Sequence, residues 1–242
     1  MQKPEPANRE APNPQLPIVQ KLRVRYAKRD RLRFTSHRDF ARAFERAVRR
    51  AGIPIGFSSG FSPHPKISYA NAAPTGSASE AEFLEIGLTD PRDPNEVLRA
   101  LDGALPPGLE VLDVVVADGP GSLADRLEAS EWRIELAGAD PDQVASAVAS
   151  FLAAEDVSVD RMMKRGMRAI DVRGAVVRLT SEGSTVTAVV RSTVPTVRPD
   201  DIVAGLRAFG LEHSGSPVAK RLRHGPLRGT DGGAEVGDPL QG

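Results

Sequence analysis

Leu22-Arg23-Val24-Arg25-Tyr26, followed by Ser36-His37-Arg38-Asp39 and then by Phe40, Ala43, Phe44, Ala47, Val48 and Ala51, decides how this chain folds. The first run alternates apolar and basic residues, the period-two pattern of a strand with one buried face. Lys28-Arg29-Asp30-Arg31 predicts a turn, and Leu32-Arg33-Phe34 continues in extended form. Ser36 is a helix N-cap, because its hydroxyl can accept an orphan backbone N–H, and Asp39 stands at the capping-box position. The apolar residues that follow recur at i, i+3 and i+4 and form one stripe along a helix. Gly52 suits the left-handed residue just past its end, and Pro54 prevents continuation. Arg38, Arg42, Arg46, Arg49 and Arg50 project from the other side.

Working outward, residues 53–57 and 66–70 read as strand material around a loop, and 82–88 is another alternating run. Asp93-Pro94-Asn95-Glu96 places a cap, a proline at the first helical position and an acid behind it. Residues 109–116 close the unit, giving the order β-α-β-β-α-β of a ferredoxin-like fold. The order then recurs. Residues 132–136 predict a strand, and Asp140-Pro141-Asp142-Gln143 starts a helix. Strands are expected over 157–163, 169–180 and 185–192, a helix from Pro199 to Gly210, and a last extended run near 217–222. The expected architecture is therefore α+β, two tandem ferredoxin-like halves over 19–120 and 126–224, joined by a Gly-Pro-Gly segment at 117–125. Residues 1–18 carry five prolines and few large apolar side chains, and 225–242 are rich in Gly and polar residues. Neither tail offers enough apolar surface to offset the entropy of ordering, so both are expected to be disordered.

The 242 residues balance 32 Lys and Arg against 32 Asp and Glu, yet the charges are segregated. Residues 21–68 hold thirteen basic and three acidic residues, and 69–157 hold four basic and eighteen acidic. The basic block is either a footprint for a polyanion or is neutralised by the acidic block within the fold. The absence of cysteine excludes disulfides, thiol nucleophiles, Cys-ligated zinc and an iron–sulfur cluster held by this chain. No apolar run is long enough to span a membrane and no signal pattern opens the chain, so a cytoplasmic location is expected.

The densest motif is Gly56-Phe57-Ser58-Ser59-Gly60-Phe61-Ser62-Pro63-His64-Pro65-Lys66-Ile67-Ser68-Tyr69. Its glycines and prolines impose an irregular backbone, and rings interleaved with His64 and Lys66 suit unstacked bases or another planar anion. The alternative is a hairpin loop whose rings anchor the core. Ser36-His37-Arg38 offers helix amides and charge to an anion, or else is a plain cap with a solvated imidazole. Lys164-Arg165-Gly166-Met167-Arg168 is a second candidate phosphate contact or a solvated turn. His37, Asp39 and His64 match no metal-ligand spacing, and no phosphate-binding loop motif is present. His213 and His224 lie near the C-terminal end and receive no role.

Leu32-Arg33-Phe34-Thr35-Ser36-His37-Arg38-Asp39, Phe44-Glu45-Arg46-Ala47, residues 60–68 and Ser79-Glu80-Ala81-Glu82-Phe83-Leu84-Glu85 together resemble the bacterial radical-SAM-linked family. Its members are uncharacterised and occur fused to, or encoded beside, a radical SAM protein with a cobalamin-binding-type domain. The resemblance spans about 21–224, is strongest over 30–90, and departs at Thr35 and Arg38, positions that are often apolar in relatives. The first half is also similar, more distantly, to ferredoxin-like RNA-processing proteins of CRISPR systems. The resemblance implies a radical SAM protein in trans as partner, since a radical SAM cluster needs three cysteines and this chain has none.

These readings converge on an accessory module, itself not a radical SAM enzyme and without a cofactor, that binds RNA or another phosphate-bearing ligand. Arg33, His37, Arg38, Arg42, His64 and Lys66 are the expected phosphate contacts, and Phe61 the expected stacking ring. Two alternatives remain open: a metal-independent endoribonuclease using His37 or His64 as general acid–base, and a subunit that only docks protein.

Overall fold

Alternation over Gln20–Lys28 produces β1, a strand whose Leu22, Val24 and Tyr26 are buried on one face. The computed structural model describes residues 16–59, 61–118, 121–164, 166–229 and 233–241. A short 3-10 turn, Asp30–Phe34, leads to α1, His37–Arg50, where Ser36 Oγ accepts the Asp39 N–H and donates to the Asp39 carboxylate. β2 (Ile67–Ala70), β3 (Ala78–Leu88), α2 (Pro94–Asp102) and β4 (Leu109–Val116) follow. β5 (Ala129–Glu135), α3 (Pro141–Ala153), β6 (Ser158–Met163), β7 (Gly166–Asp171), β8 (Val176–Glu182) and β9 (Thr185–Arg191) come next. The described chain closes with α4 (Pro199–Arg207), β10 (Val218–Gly225), β11 (Leu227–Arg228) and β12 (Glu235–Val236).

The result is a mixed α+β fold with a large mixed sheet and four helices among the described residues. The sheet runs β4-β1-β3-β10-β5-β9-β8, with β2 also paired to β3. Its one parallel join is short: β3 meets β10 through Lys220 opposite Ala78 and Arg221 opposite Ser79. One core cluster packs Phe40, Phe44, Ala47 and Val48 of α1 and Val97 and Leu101 of α2 on Leu84, Ile86 and Leu88 of β3. Another packs Val144, Val148 and Phe151 of α3 and Ile202, Val203 and Leu206 of α4 on Trp132, Ile134, Val186 and Ala188. No helix among the described residues is long and apolar enough to cross a membrane.

Several expectations need correction. The C-terminal stretch 225–242 is not a free tail over its described residues, because β11 pairs with β12 and Ala234, Val236 and Leu240 are buried. Leu240 joins Phe83, Leu123 and Leu127 in a cluster of its own, so a few well-spaced apolar residues suffice where average composition argued against order. Of the expected N-terminal tail, residues 1–15 lie outside the described residues. Ile18, however, packs against Gly56 and against Gly87 of β3: a Cβ at Gly56 would stand 2.2 Å from its Cδ1, and one at Gly87 would stand 3.2 Å away. A Cβ at Gly56 would displace the end of the Ile18 side chain, and one at Gly87 would make a tight contact with it. In the segment 117–125, Gly119 and Pro120 lie outside the described residues, while Leu123 is buried and Ser122–Asp125 hydrogen bonds shape a turn.

Residues 53–57 make only isolated bridges, Ile55 to Leu88 and Phe57 to Pro65, because Pro54 has no N–H for a ladder. The expected single strand over 169–180 is two strands. Asp171 Oδ1 accepts the Gly174 N–H at 2.8 Å and turns the chain, and β6–β7 forms a hairpin separate from the main sheet.

Phe44 is fully buried, so Phe44→Ala is expected to cost about 3–5 kcal/mol in urea unfolding. Leu240→Ala is expected to cost about 2 kcal/mol or more by the same measurement, whereas a free tail would give no change.

Candidate functional site

The fold divides the basic block into two populations. Lys21 and Arg23 on β1 each lie 3.5 Å from Glu85, and Arg29 binds Glu80 at 2.6 Å and also Glu110. These partners lie on β3 and β4, within the acidic block. Burial pushes the Glu80 carboxyl up, but hydrogen bonds from Arg29 and Lys220 outweigh it and hold the group below its ordinary value. On α1 the situation is opposite. Arg38, Arg42, Arg46, Arg49 and Arg50 are exposed, and none pairs with a carboxylate among the described residues.

The loop before β2 is closed by its backbone. Ser58 donates to the His64 carbonyl at 2.8 Å, the His64 N–H returns to Ser58 Oγ at 3.0 Å, and the Lys66 N–H reaches the Gly56 carbonyl at 2.7 Å. Gly60 lies outside the described residues. Phe61 is 103% exposed, so it anchors no core, and His64 and Lys66 are exposed as well. Tyr69 is the ring that packs inward, edge-on to Phe40 at 5.9 Å and to His37 at 5.0 Å. Its hydroxyl is buried without a partner among the described residues. Burial, with the Glu45 charge behind it, pushes that hydroxyl's pKa well above the usual range.

The His37–Tyr69 contact brings the start of α1 against β2, directly after the loop. Arg33 is placed differently: its guanidinium lies 4.8 Å from the Phe34 ring centroid, and its carbonyl accepts the Gly76 N–H at 2.8 Å. Among the described residues no hydrogen bond, ion pair or ring contact joins Arg38 or Arg42 to Phe61, His64 or Lys66. At the β6–β7 hairpin Lys164 in the turn and Arg168 on β7 are exposed, and Arg165 lies outside the described residues.

A second constellation was not anticipated. Arg221 of β10 is 3% exposed and Glu82 of β3 is 1% exposed, and Nη2 of the first donates to Oε1 of the second at 2.5 Å. Arg221 Nη1 also donates to the Asn71 carbonyl at 3.0 Å, and its guanidinium lies 5.5 Å from the Trp132 ring centroid. Glu82 Oε2 accepts the Ala73 N–H at 3.1 Å. Burial alone would raise the Glu82 pKa, but Arg221, the Ser79 hydroxyl and Lys28 lower it on balance. Lys28 and Tyr26 are buried beside this pair. Burial lowers the lysine's pKa and raises the tyrosine's. His224, also 3% exposed, has its pKa lowered to about 2 by burial and then by the Arg221 charge. Its imidazole is neutral, and Nδ1 has no partner among the described residues. The signal in the sequence was parity: Glu82 shares the inward register of Leu84, Ile86 and Leu88, where a charge demands a buried counter-charge.

A family model described as uncharacterized protein conserved in bacteria (DUF2344) matches residues 21–199. The chain belongs to that family. The matched span holds α1, the 56–69 loop and Glu82, and stops before β10 with Arg221 and His224. No curated protein matches the chain. A crystal structure of an unknown protein from Galdieria sulphuraria aligns with 84% of this chain and 98% of its own at 16% identity. Its TM-score of 0.26 is too low to carry an argument about fold. No group of three or more His, Asp or Glu side chains among the described residues is placed to hold a metal ion.

Glu82→Gln strands a buried guanidinium and is expected to cost about 3–5 kcal/mol, while Glu82→Leu with Arg221→Met is expected to cost less than either single change. A double-mutant cycle in urea measures the coupling. Acid sensitivity separates the groups. Below about pH 6.5 the unfolded chain protonates His224 and the folded one does not, so stability falls by roughly 1–1.5 kcal/mol per pH unit. Glu82, whose folded value is depressed, contributes fully above about pH 4.5, and that contribution is lost as pH falls through the lowered value. Between pH 6.5 and 4.5 the His224→Gln variant is expected to show the flatter stability curve.

Proposed function

We propose that this chain is an accessory binding module that takes RNA on the face formed by α1 and the 56–69 loop. The observation that supports it most is the row of five exposed α1 arginines without carboxylate partners, together with a fully exposed Phe61 in the 56–69 loop. Unpaired cations on one helix attract phosphate and release counterions, and a solvent-facing ring gives a base something to stack on. In this reading Arg38, Arg42, His37, Arg33, His64 and Lys66 contact phosphate or sugar and Phe61 stacks.

The same reading divides the chain into ferredoxin-like halves over 19–120 and 126–224. Strand orders β4-β1-β3-β2 and β10-β5-β9-β8 support it, since each is the order 4-1-3-2 of a β-α-β-β-α-β unit once β6–β7 is treated as an insertion. The module works in the cytoplasm with a radical SAM protein in trans that modifies the bound RNA. The missing cysteines and the family resemblance support this partner.

The test is retention of labelled RNA as a function of salt. Lys66→Ala is expected to weaken retention on all sequences and to flatten the log–log salt slope by about 0.7, and Arg42→Ala by a similar amount. Phe61→Ala is expected to cost about 1–3 kcal/mol with little change of slope, and its thermal melt is expected to match the parent. Pull-down is expected to recover a Cys-rich radical SAM protein. Unchanged retention in all three variants would overturn the interface, and RNA cleavage that disappears in His64→Ala would replace it with the endoribonuclease reading.

A further inference from the structure

We propose that the cleft between β5, β9 and the β9–α4 connection binds a small phosphorylated, hydroxyl-bearing molecule, at a site separate from α1. The cleft measures about 420 Å³ and is lined by Arg191, Arg198, Arg221, Trp132 and His224, with no carboxylate on its walls. That volume suits a small metabolite, within the range of about 300–1,000 Å³ usual for ligand pockets. A neighbouring cleft of about 360 Å³ differs in kind, because Glu235 and Asp238 line it alongside its arginines.

The three arginines are not equivalent. Arg221 is neutralised by Glu82 and forms part of the wall beside Trp132. Arg191, the last residue of β9, and Arg198, the residue before α4, are exposed and pair with no carboxylate among the described residues. Two free guanidinium groups on a cleft without acids match the charge of a phosphate monoester and can donate to its oxygens.

The hydroxyls between them define the rest of the ligand. Ser192 Oγ donates to the Leu127 carbonyl at 2.6 Å, Thr193 Oγ1 to Pro195 at 2.9 Å and Thr196 Oγ1 to Thr193 at 3.2 Å. Their protons are spent on backbone, so towards the cleft they offer lone pairs, which accept from ligand hydroxyl or amino groups. His224, held neutral by burial, lines the cleft without adding charge to it. A nucleoside monophosphate and a sugar phosphate share this chemistry.

Trp132 is the protein's only tryptophan, so intrinsic fluorescence reports on the cleft directly. The full chain is titrated with adenosine 5′-monophosphate, glucose 6-phosphate, adenosine and inorganic phosphate. At least one of the two esters is expected to give a saturable change, and which one responds distinguishes a nucleoside body from a sugar body. Arg191→Gln with Arg198→Gln is expected to weaken that binding roughly tenfold or more, as loss of charge-assisted hydrogen bonds requires, with an unchanged melting midpoint. Adenosine and inorganic phosphate alone are expected to bind more weakly than the responding ester. Absence of a saturable response to both esters, an equal response to adenosine, or full binding by the folded double variant would each overturn the proposal.

Discussion

The buried ion pair between Arg221 and Glu82 is the constraint around which the rest of this molecule is arranged. The large sheet is continuous only because β10 runs beside β3, and that parallel join rests on two residue pairs. So short a ladder supplies few backbone hydrogen bonds. Arg221 adds a charge-assisted bond to Glu82 and a bond to the Asn71 carbonyl at the same place, and Glu82 in turn holds the Ala73 N–H. Removing both ions from water is costly, so the pair contributes geometry more than net stability.

The surroundings follow from that choice. Lys28 and Tyr26 are buried against Glu82, and His224 is kept neutral by burial and by the Arg221 charge. Two clefts open beside this region, with His224 on the wall of each. The C-terminal strands cover one side of it, because Val236 and Leu240 find apolar partners at the same junction. An acidic block that looked like a counterweight to the basic one is used locally. Its β3 and β4 carboxylates are paired with the cations of β1 and its following turn, and the α1 arginines are left to solvent. The proposed RNA face and the proposed small-molecule cleft thus lie on opposite accounts of charge: one is basic because nothing reached it, the other because its acids lie elsewhere.

What the sequence determined by itself was local. Ser36, Asp93 and Asp140 cap helices, with Pro94 and Pro141 opening two of them. The apolar stripe Phe40, Phe44, Ala47 and Val48 names the buried face of α1. These signals act within a turn or two and need no knowledge of distant residues. The expected contacts of the 56–69 motif were only partly legible, since composition cannot say which of its rings turns inward. Packing against Phe40 took Tyr69 and left Phe61 in water. Tertiary structure alone decided that Arg221 meets Glu82 across 139 residues of chain, that Ala234, Val236 and Leu240 of the Gly-rich C-terminal stretch are packed, and that His224, which carried no signal in sequence, is buried beside a cleft. Each of these depends on which strand lies next to which: the parity of Glu82 marks a buried charge, but nothing periodic in the sequence names Arg221 as its partner.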